Sequence, residues 1–169
     1  GKTTEIVTFN NNTIVDRKNL MIGVSDLLNE FPNSNDEIAT CKIEDMNNFV
    51  KQRLKGVIFF FFYDCCIFTG GEERFEKLTN FNLVNNTLFD DGIHKYMLSY
   101  DDYVSGTKKI FYDSNYSLSK LYELMPQNPK WMDGARSGAI IPLAIFDLAS
   151  IKYIIPSDLN LINGVINDL

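Results

Sequence analysis

The chain has 169 residues, of which 45% are hydrophobic and 22% charged, as expected for an ordinary globular domain. Its net charge of −6 argues against nucleic-acid binding and against docking on anionic lipid, because both require a basic surface. The apolar runs are shorter than the roughly 20 residues that cross a bilayer. We therefore expect no nucleic-acid partner and no membrane insertion.

Cysteine and histidine are scarce. The chain has one histidine, His94, and three cysteines, Cys41, Cys65 and Cys66. This set is too small for a disulfide framework or a classical Cys/His zinc site, so we predict no metal and no cofactor. Asparagine, in contrast, is abundant and creates sequons that matter only in a secreted protein. These Asn-x-Ser/Thr sequons are at Asn11, Asn85 and Asn115.

The first part of the chain predicts a hairpin followed by a helix. Residues 5–15 contain two β-favouring runs around an Asn-rich turn, and Asn tolerates the left-handed geometry that such turns need. Apolar residues at helical spacing predict a helix over residues 20–31. Pro32 and the polar residues after it form a linker. We therefore divide the chain into an N-terminal extension, residues 1–35, and a main domain, residues 36–169.

The main domain is organised around residues 57–62, a continuous apolar and aromatic run. Because apolar and polar residues do not alternate in this run, it predicts a strand buried on both faces. Further strands are expected at residues 37–41, 93–100, 109–112, 139–146 and 151–155. Helices are expected at residues 42–54, 72–78, 117–125 and 159–169. Residues 101–112 stand outside the regular alternation and predict an inserted hairpin.

This order of strands and helices resembles the thioredoxin fold. Three segments carry the resemblance: residues 36–50 as the opening strand and helix, residues 56–63 as the central strand, and residues 140–147 as the cis-proline segment. The resemblance implies an α/β domain with a mixed central sheet flanked by helices. It also implies that the Ile141–Pro142 bond is cis and faces the turn after the central strand.

The sequence departs from that family at its active site. The Cys-x-x-Cys pair is absent, and the adjacent Cys65 and Cys66 would form a strained ring if oxidised. The resemblance therefore implies a non-catalytic domain that binds or scaffolds a protein or peptide partner. Its candidate binding residues surround the turn and the proline, and they include an aromatic and a basic anchor. They are Asp64, Cys65, Cys66, Trp131, Arg136, Ile141 and Pro142.

Two other functions remain open. The first is a divergent thiol-disulfide oxidoreductase that uses Cys65 or Cys66, the latter with His94 as a possible base. The second is a viral or parasite structural or host-interaction protein of an unrelated α+β fold, which the Asn-rich, aromatic-heavy composition suggests. Thr69 and the two glycines after it resemble an anion-binding turn, but the P-loop lysine is missing and Glu72 and Glu73 would repel phosphate.

Overall fold

The computed structural model describes residues 1–10, 13–57, 59, 62–69, 78 and 80–159. Within them the strands are β1 (Thr4–Asn10), β2 (Thr13–Leu20), β3 (Cys66–Thr69), β4 (Val84–Asn85), β5 (Tyr96–Ser99) and β6 (Tyr153–Ser157). The helices are α1 (Val24–Glu30), α2 (Ile43–Arg53), α3 (Tyr100–Tyr112), α4 (Leu118–Glu123) and α5 (Ala135–Ala149). Short 3-10 turns span Pro32–Asn35, Ser114–Tyr116 and Pro129–Gly134.

The predicted N-terminal hairpin is confirmed. β1 and β2 pair antiparallel as a two-stranded sheet, with Phe9 opposite Ile14 and an irregularity in register after Thr8. Leu20 at the end of β2 and Ile22 just beyond it are buried in the main core. The hairpin is therefore tied into the hydrophobic core through its second strand.

The second sheet is mixed and has four strands among the described residues, in the order β3-β6-β5-β4. β3 runs parallel to β6, whereas β6 pairs antiparallel with β5 and β5 pairs antiparallel with β4. Leu98, Ile154 and Ile155 are fully buried and place the core side of this sheet against the helices. The α/β class with a mixed sheet flanked by helices is confirmed.

Helix α5 occupies the centre of the core and packs against α1, α2 and α3. Twelve of its fifteen residues are buried, so it lacks the broad polar face by which a surface helix is predicted. The predicted strand over residues 139–146 is wrong, because these residues lie within α5. Pro142 lies inside this helix, and no cis peptide bond occurs within the described ranges, so the expected cis Ile141–Pro142 bond is wrong.

Helices α2 and α3 show why one prediction succeeded and another failed. In α2, Ile43, Met46 and Val50 are buried on one face, as the predicted helix requires. The predicted inserted hairpin is wrong, because residues 101–112 belong to α3. This segment forms a helix despite its β-favouring residues, because it has a favourable N-cap, in which the Ser99 side chain accepts a hydrogen bond from the Asp102 amide.

Several other expected elements differ from the structure. No strand forms at residues 37–41, and the strand that joins β6 begins at Cys66 rather than at Val57. Of the predicted central strand, Ile58, Phe60 and Phe61 lie outside the described residues, and Phe62 is fully exposed. The expected helices 72–78 and 159–169 lie almost entirely outside the described residues.

In the part of the chain that the structure describes, no helix combines the length and the apolar character that crossing a bilayer would need.

Candidate functional site at the carboxyl edge of the parallel strands

The parallel strands β3 and β6 end at the same edge of the sheet. Thr69, the last residue of β3, is paired in register with Ser157, the last residue of β6. Thr69 is exposed, whereas Ser157 is only 1% exposed. Ligands of α/β sheets usually bind outside the carboxyl ends of the strands. This edge is therefore a candidate ligand-binding site.

His94 is bonded at this edge through both of its ring nitrogens. Its Nδ1 atom lies 2.6 Å from Oδ2 of Asp91, and its Nε2 atom lies 2.8 Å from Oγ of Ser157. The imidazole is buried, and the ring of Phe89 contacts it edge-on with centroids 6.0 Å apart. The side chain thus joins the turn before β5 to the end of β6.

Asp91 accepts several hydrogen bonds at the other end of this arrangement. Besides the imidazole, its carboxylate accepts from the backbone amides of Ile93 and His94, each at 2.9 Å. The bond from the His94 amide is the main reason that the pKa of Asp91 is lowered to about 2. Asp91 is therefore a carboxylate at neutral pH and fixes the turn around Gly92.

The residues Ser157, His94 and Asp91 have the connectivity of a hydrolase catalytic triad. In such a triad the histidine takes a proton from the serine, which then attacks the substrate. Here Ser157 is buried, and its Oγ atom also accepts from the Leu159 amide at 3.3 Å. A substrate cannot reach Oγ in this arrangement. The three side chains therefore act as a polar brace rather than as a nucleophilic centre.

A shallow depression of about 520 Å³ lies beside His94. Its lining includes Phe89, Lys95 and Tyr96 together with the amide side chain of Asn86. Asn86 holds the wall in place, because its Nδ2 group donates to the His94 carbonyl at 2.9 Å and its Oδ1 accepts from the Leu88 amide. The depression therefore combines fixed walls with aromatic, amide and basic groups.

The two adjacent cysteines precede and begin β3. Both are free and partly buried, and burial raises the pKa of each thiol, to about 12 for Cys66. Asp64 further raises the pKa of Cys65 through its negative charge. Because the thiolate is the nucleophilic form, both side chains are poor nucleophiles at neutral pH. His94 bonds to Asp91 and Ser157 rather than serving as a base for Cys66.

Arg136 is buried at the start of α5, with 2% of its surface exposed. Its five N–H groups donate to five backbone carbonyls at distances from 2.6 to 3.2 Å. The acceptors are the carbonyls of Ser34, Asp36, Glu37, Ile110 and Tyr116. A guanidinium has five donors in total, so none is left for a partner.

The remaining predicted binding residues lie on separate elements. Trp131 is 45% exposed in the 3-10 turn that precedes α5. Ile141 and Pro142 are buried inside α5, whereas Asp64 lies before β3. The binding role assigned to this set stays a prediction. The sequence reasoning did not select Asp91 or Ser157, because nothing in their spacing shows that a histidine joins them.

Among the described residues, no group of three or more His, Cys, Asp or Glu side chains converges on a point that could hold a metal ion.

Solved structures provide the comparison for this fold. A structure of the Aquifex aeolicus PPX-GPPA enzyme matches 100% of this chain with a TM-score of 0.72 at 17% identity. The type II variant of the Aquifex aeolicus Ppx/GppA phosphatase matches 99% of it with a TM-score of 0.72 at 19% identity. An exopolyphosphatase-like protein matches 99% with a TM-score of 0.70 at 16% identity.

The chain spans about half the length of these neighbours, since it covers 54%, 54% and 55% of them respectively. No protein-family model matches the chain, and no curated protein does either. At these identities the likeness establishes the fold, which is that of a Ppx/GppA domain. The thioredoxin-like assignment is therefore wrong, and so is the non-catalytic, redox-inactive binding function that was derived from it.

Proposed function

We propose that this chain is a domain of a phosphatase that cleaves phosphoanhydride or phosphoester bonds, with polyphosphate or a nucleotide as substrate. The observation that supports this most directly is the match of 99–100% of the chain to Ppx/GppA structures. Those neighbours are named as phosphatases or as exopolyphosphatase-like. Because the chain spans about half of their length, the proposal concerns the contribution of this domain to such an enzyme.

The carboxyl edge of β3 and β6 is the proposed place of phosphate binding. Its location supports this role, because strand ends of α/β sheets are where phosphate-bearing ligands usually lie. Thr69 is an exposed residue at this edge, and a threonine hydroxyl can donate to a phosphate oxygen. Ser157 cannot take that role directly, since it is buried and bonded to His94.

The charge of the chain sets a condition on this function. A net charge of −6 repels a polyanion, and in the sequence acidic residues follow both strand ends, Glu72 and Glu73 after Thr69 and Asp158 after Ser157. A divalent cation bound to the phosphates would reduce that repulsion. Binding should therefore be stronger in the presence of Mg²⁺ than in its absence, and it should respond to ionic strength.

Calorimetry tests the proposal by measuring the binding of medium-chain polyphosphate and of a nucleoside triphosphate, each with Mg²⁺. A second assay measures the release of orthophosphate from both compounds. The Thr69→Val variant removes the edge hydroxyl at constant shape and should weaken binding by about fivefold to tenfold, the effect of one hydrogen bond. Thr13→Val makes the same change in the hairpin sheet, on an exposed residue of β2, and serves as the matched control.

Two results would count against the proposal in different ways. If neither phosphate compound binds at millimolar concentration, the proposed contribution of this domain to a phosphatase is wrong. If binding occurs but Thr69→Val and Thr13→Val behave alike, the function stands and the site lies elsewhere in the domain.

A further inference from the structure

The hydrogen bonds around His94 have a definite direction. Asp91 is a carboxylate and accepts only, so Nδ1 of His94 carries the proton in this bond. With Nδ1 as the donor of the ring, Nε2 accepts from the Ser157 hydroxyl. Oγ of Ser157 accepts in turn from the Leu159 amide. Every group in this chain of bonds has a partner that suits it.

This chain of bonds connects two parts of the molecule that are far apart in sequence. Asp91 belongs to the turn before β5, and Ser157 ends β6, 63 residues after His94. Beyond Ser157, the Leu159 amide belongs to the segment that leaves the sheet at the carboxyl edge. Ser157 is also in register with Thr69 of β3. The position of Ser157 therefore affects both strand ends.

We infer that His94 is a positioning residue, which fixes Ser157 and the backbone after it at the carboxyl edge of the sheet. The inference rests on the proposed function in one respect, because it assigns this edge to phosphate binding. His94 itself is buried and its Nε2 atom bonds to Ser157, so it acts on the edge through Ser157. The imidazole is suited to this because it holds two partners on opposite sides of one rigid ring.

Two substitutions separate the two bonds of the ring. The amide of His94→Asn occupies the place of Nδ1, so it can keep the bond to Asp91 and loses the bond to Ser157. The longer His94→Gln side chain reaches the place of Nε2, so it can keep the bond to Ser157 and loses the bond to Asp91. Ser157→Ala removes the hydroxyl alone. Circular dichroism and urea unfolding establish that each variant is folded.

Hydrogen exchange of the Leu159 amide tests the positioning without any ligand. His94→Asn loses the bond between His94 and Ser157 and should speed exchange by about fivefold to tenfold. Ser157→Ala loses that bond and also the acceptor of the Leu159 amide itself, so its exchange should speed up at least as much. His94→Gln should stay within about twofold of the parent, because the Ser157 bond is retained. If His94→Asn leaves this exchange unchanged, or if His94→Gln raises it equally, the inference is overturned.

Binding of medium-chain polyphosphate with Mg²⁺ then tests the link to function. We expect His94→Asn and Ser157→Ala to raise the dissociation constant by about fivefold to tenfold, since both lose the bond between His94 and Ser157. His94→Gln keeps that bond and should bind like the parent. If the exchange results hold and the variants bind like the parent, the edge is not where phosphate binds and the inference fails for binding. If the parent itself binds no phosphate compound, the proposed function fails, and the exchange result alone decides whether His94 positions the strand end.

Discussion

Replacement of Arg136 should be among the most costly single changes in this chain. Its guanidinium is buried and donates to five backbone carbonyls, which belong to three separate parts of the chain before α5. The Glu37 carbonyl also accepts from the Leu118 amide at 2.9 Å, so it keeps a partner in any variant. The remaining four carbonyls carry the cost of the substitution.

Two substitutions at this position give different expected magnitudes. Arg136→Lys keeps the charge but has only three donors, all on one nitrogen, so at least one of the four carbonyls is left unpaired. At about 1–3 kcal/mol for a buried group left unpaired, this variant loses at least about 1–3 kcal/mol of unfolding free energy. Arg136→Met leaves all four unpaired, and the two buried ones, of Ser34 and Ile110, carry a loss of about 2–6 kcal/mol. This is a large part of the stability of a domain, about 5–15 kcal/mol.

Urea unfolding followed by circular dichroism measures these losses. Arg17→Lys is the matched control, since Arg17 is exposed in β2 and its ion pair with Glu5 is long, at 3.7 Å. A surface change of this kind alters stability by less than about 0.5 kcal/mol. If Arg136→Lys unfolds at the same urea concentration as Arg17→Lys, the five bonds do not hold these segments together and the argument is wrong.

Three further predictions concern stability. Gly106→Ala should lose about 1–3 kcal/mol in thermal unfolding, because its Cβ would lie 2.4 Å from the buried Phe81 ring, and an unchanged melting temperature would contradict this packing. Asp147→Asn should lose about 1–3 kcal/mol of unfolding free energy, since the carboxylate accepts from Lys51 at 2.5 Å, from Asn47 at 2.9 Å and from Tyr100. A double-mutant cycle with Lys51→Met should show coupling rather than additivity. The pKa of Asp91 is lowered to about 2, so the carboxylate stabilises the fold above its ordinary pKa of 3.8, and this effect is lost as the pH falls through about 2. The difference in unfolding free energy between the parent and Asp91→Asn should therefore shrink from pH 5 to pH 2.

The elements that the sequence predicts correctly are those whose signals are local. Helix α2 has one buried face and carries acidic residues in its first turn and basic residues in its last, which the helix dipole favours. The N-terminal hairpin follows from an Asn-rich turn between two β-favouring runs. In both cases a window of about fifteen residues contains the physical reason for the structure.

The elements that it misses depend on the rest of the fold. Residues 140–146 are rich in β-branched residues and contain Pro142, which disfavours a helix, yet they lie in the buried α5 because the surrounding helices enclose them on all sides. The thioredoxin resemblance used only the order of strands and helices, and many α/β folds share parts of that order. The brace of Asp91, His94 and Ser157 depends on tertiary pairing, which no local pattern reveals.

The junction between β5 and α3 has a consequence for how the chain accepts added sequence. Ser99 ends the strand and Tyr100 begins the helix, with no residue between them, and the Tyr100 amide still bonds to the Lys152 carbonyl of the neighbouring chain segment at 2.9 Å. A residue inserted here would rotate α3 by about 100° relative to the sheet, since a helix has 3.6 residues per turn, and would turn Tyr103 and Ile110 out of the core. Lengthening the chain at this point, unlike at an exposed loop tip, would therefore break the whole helical layer.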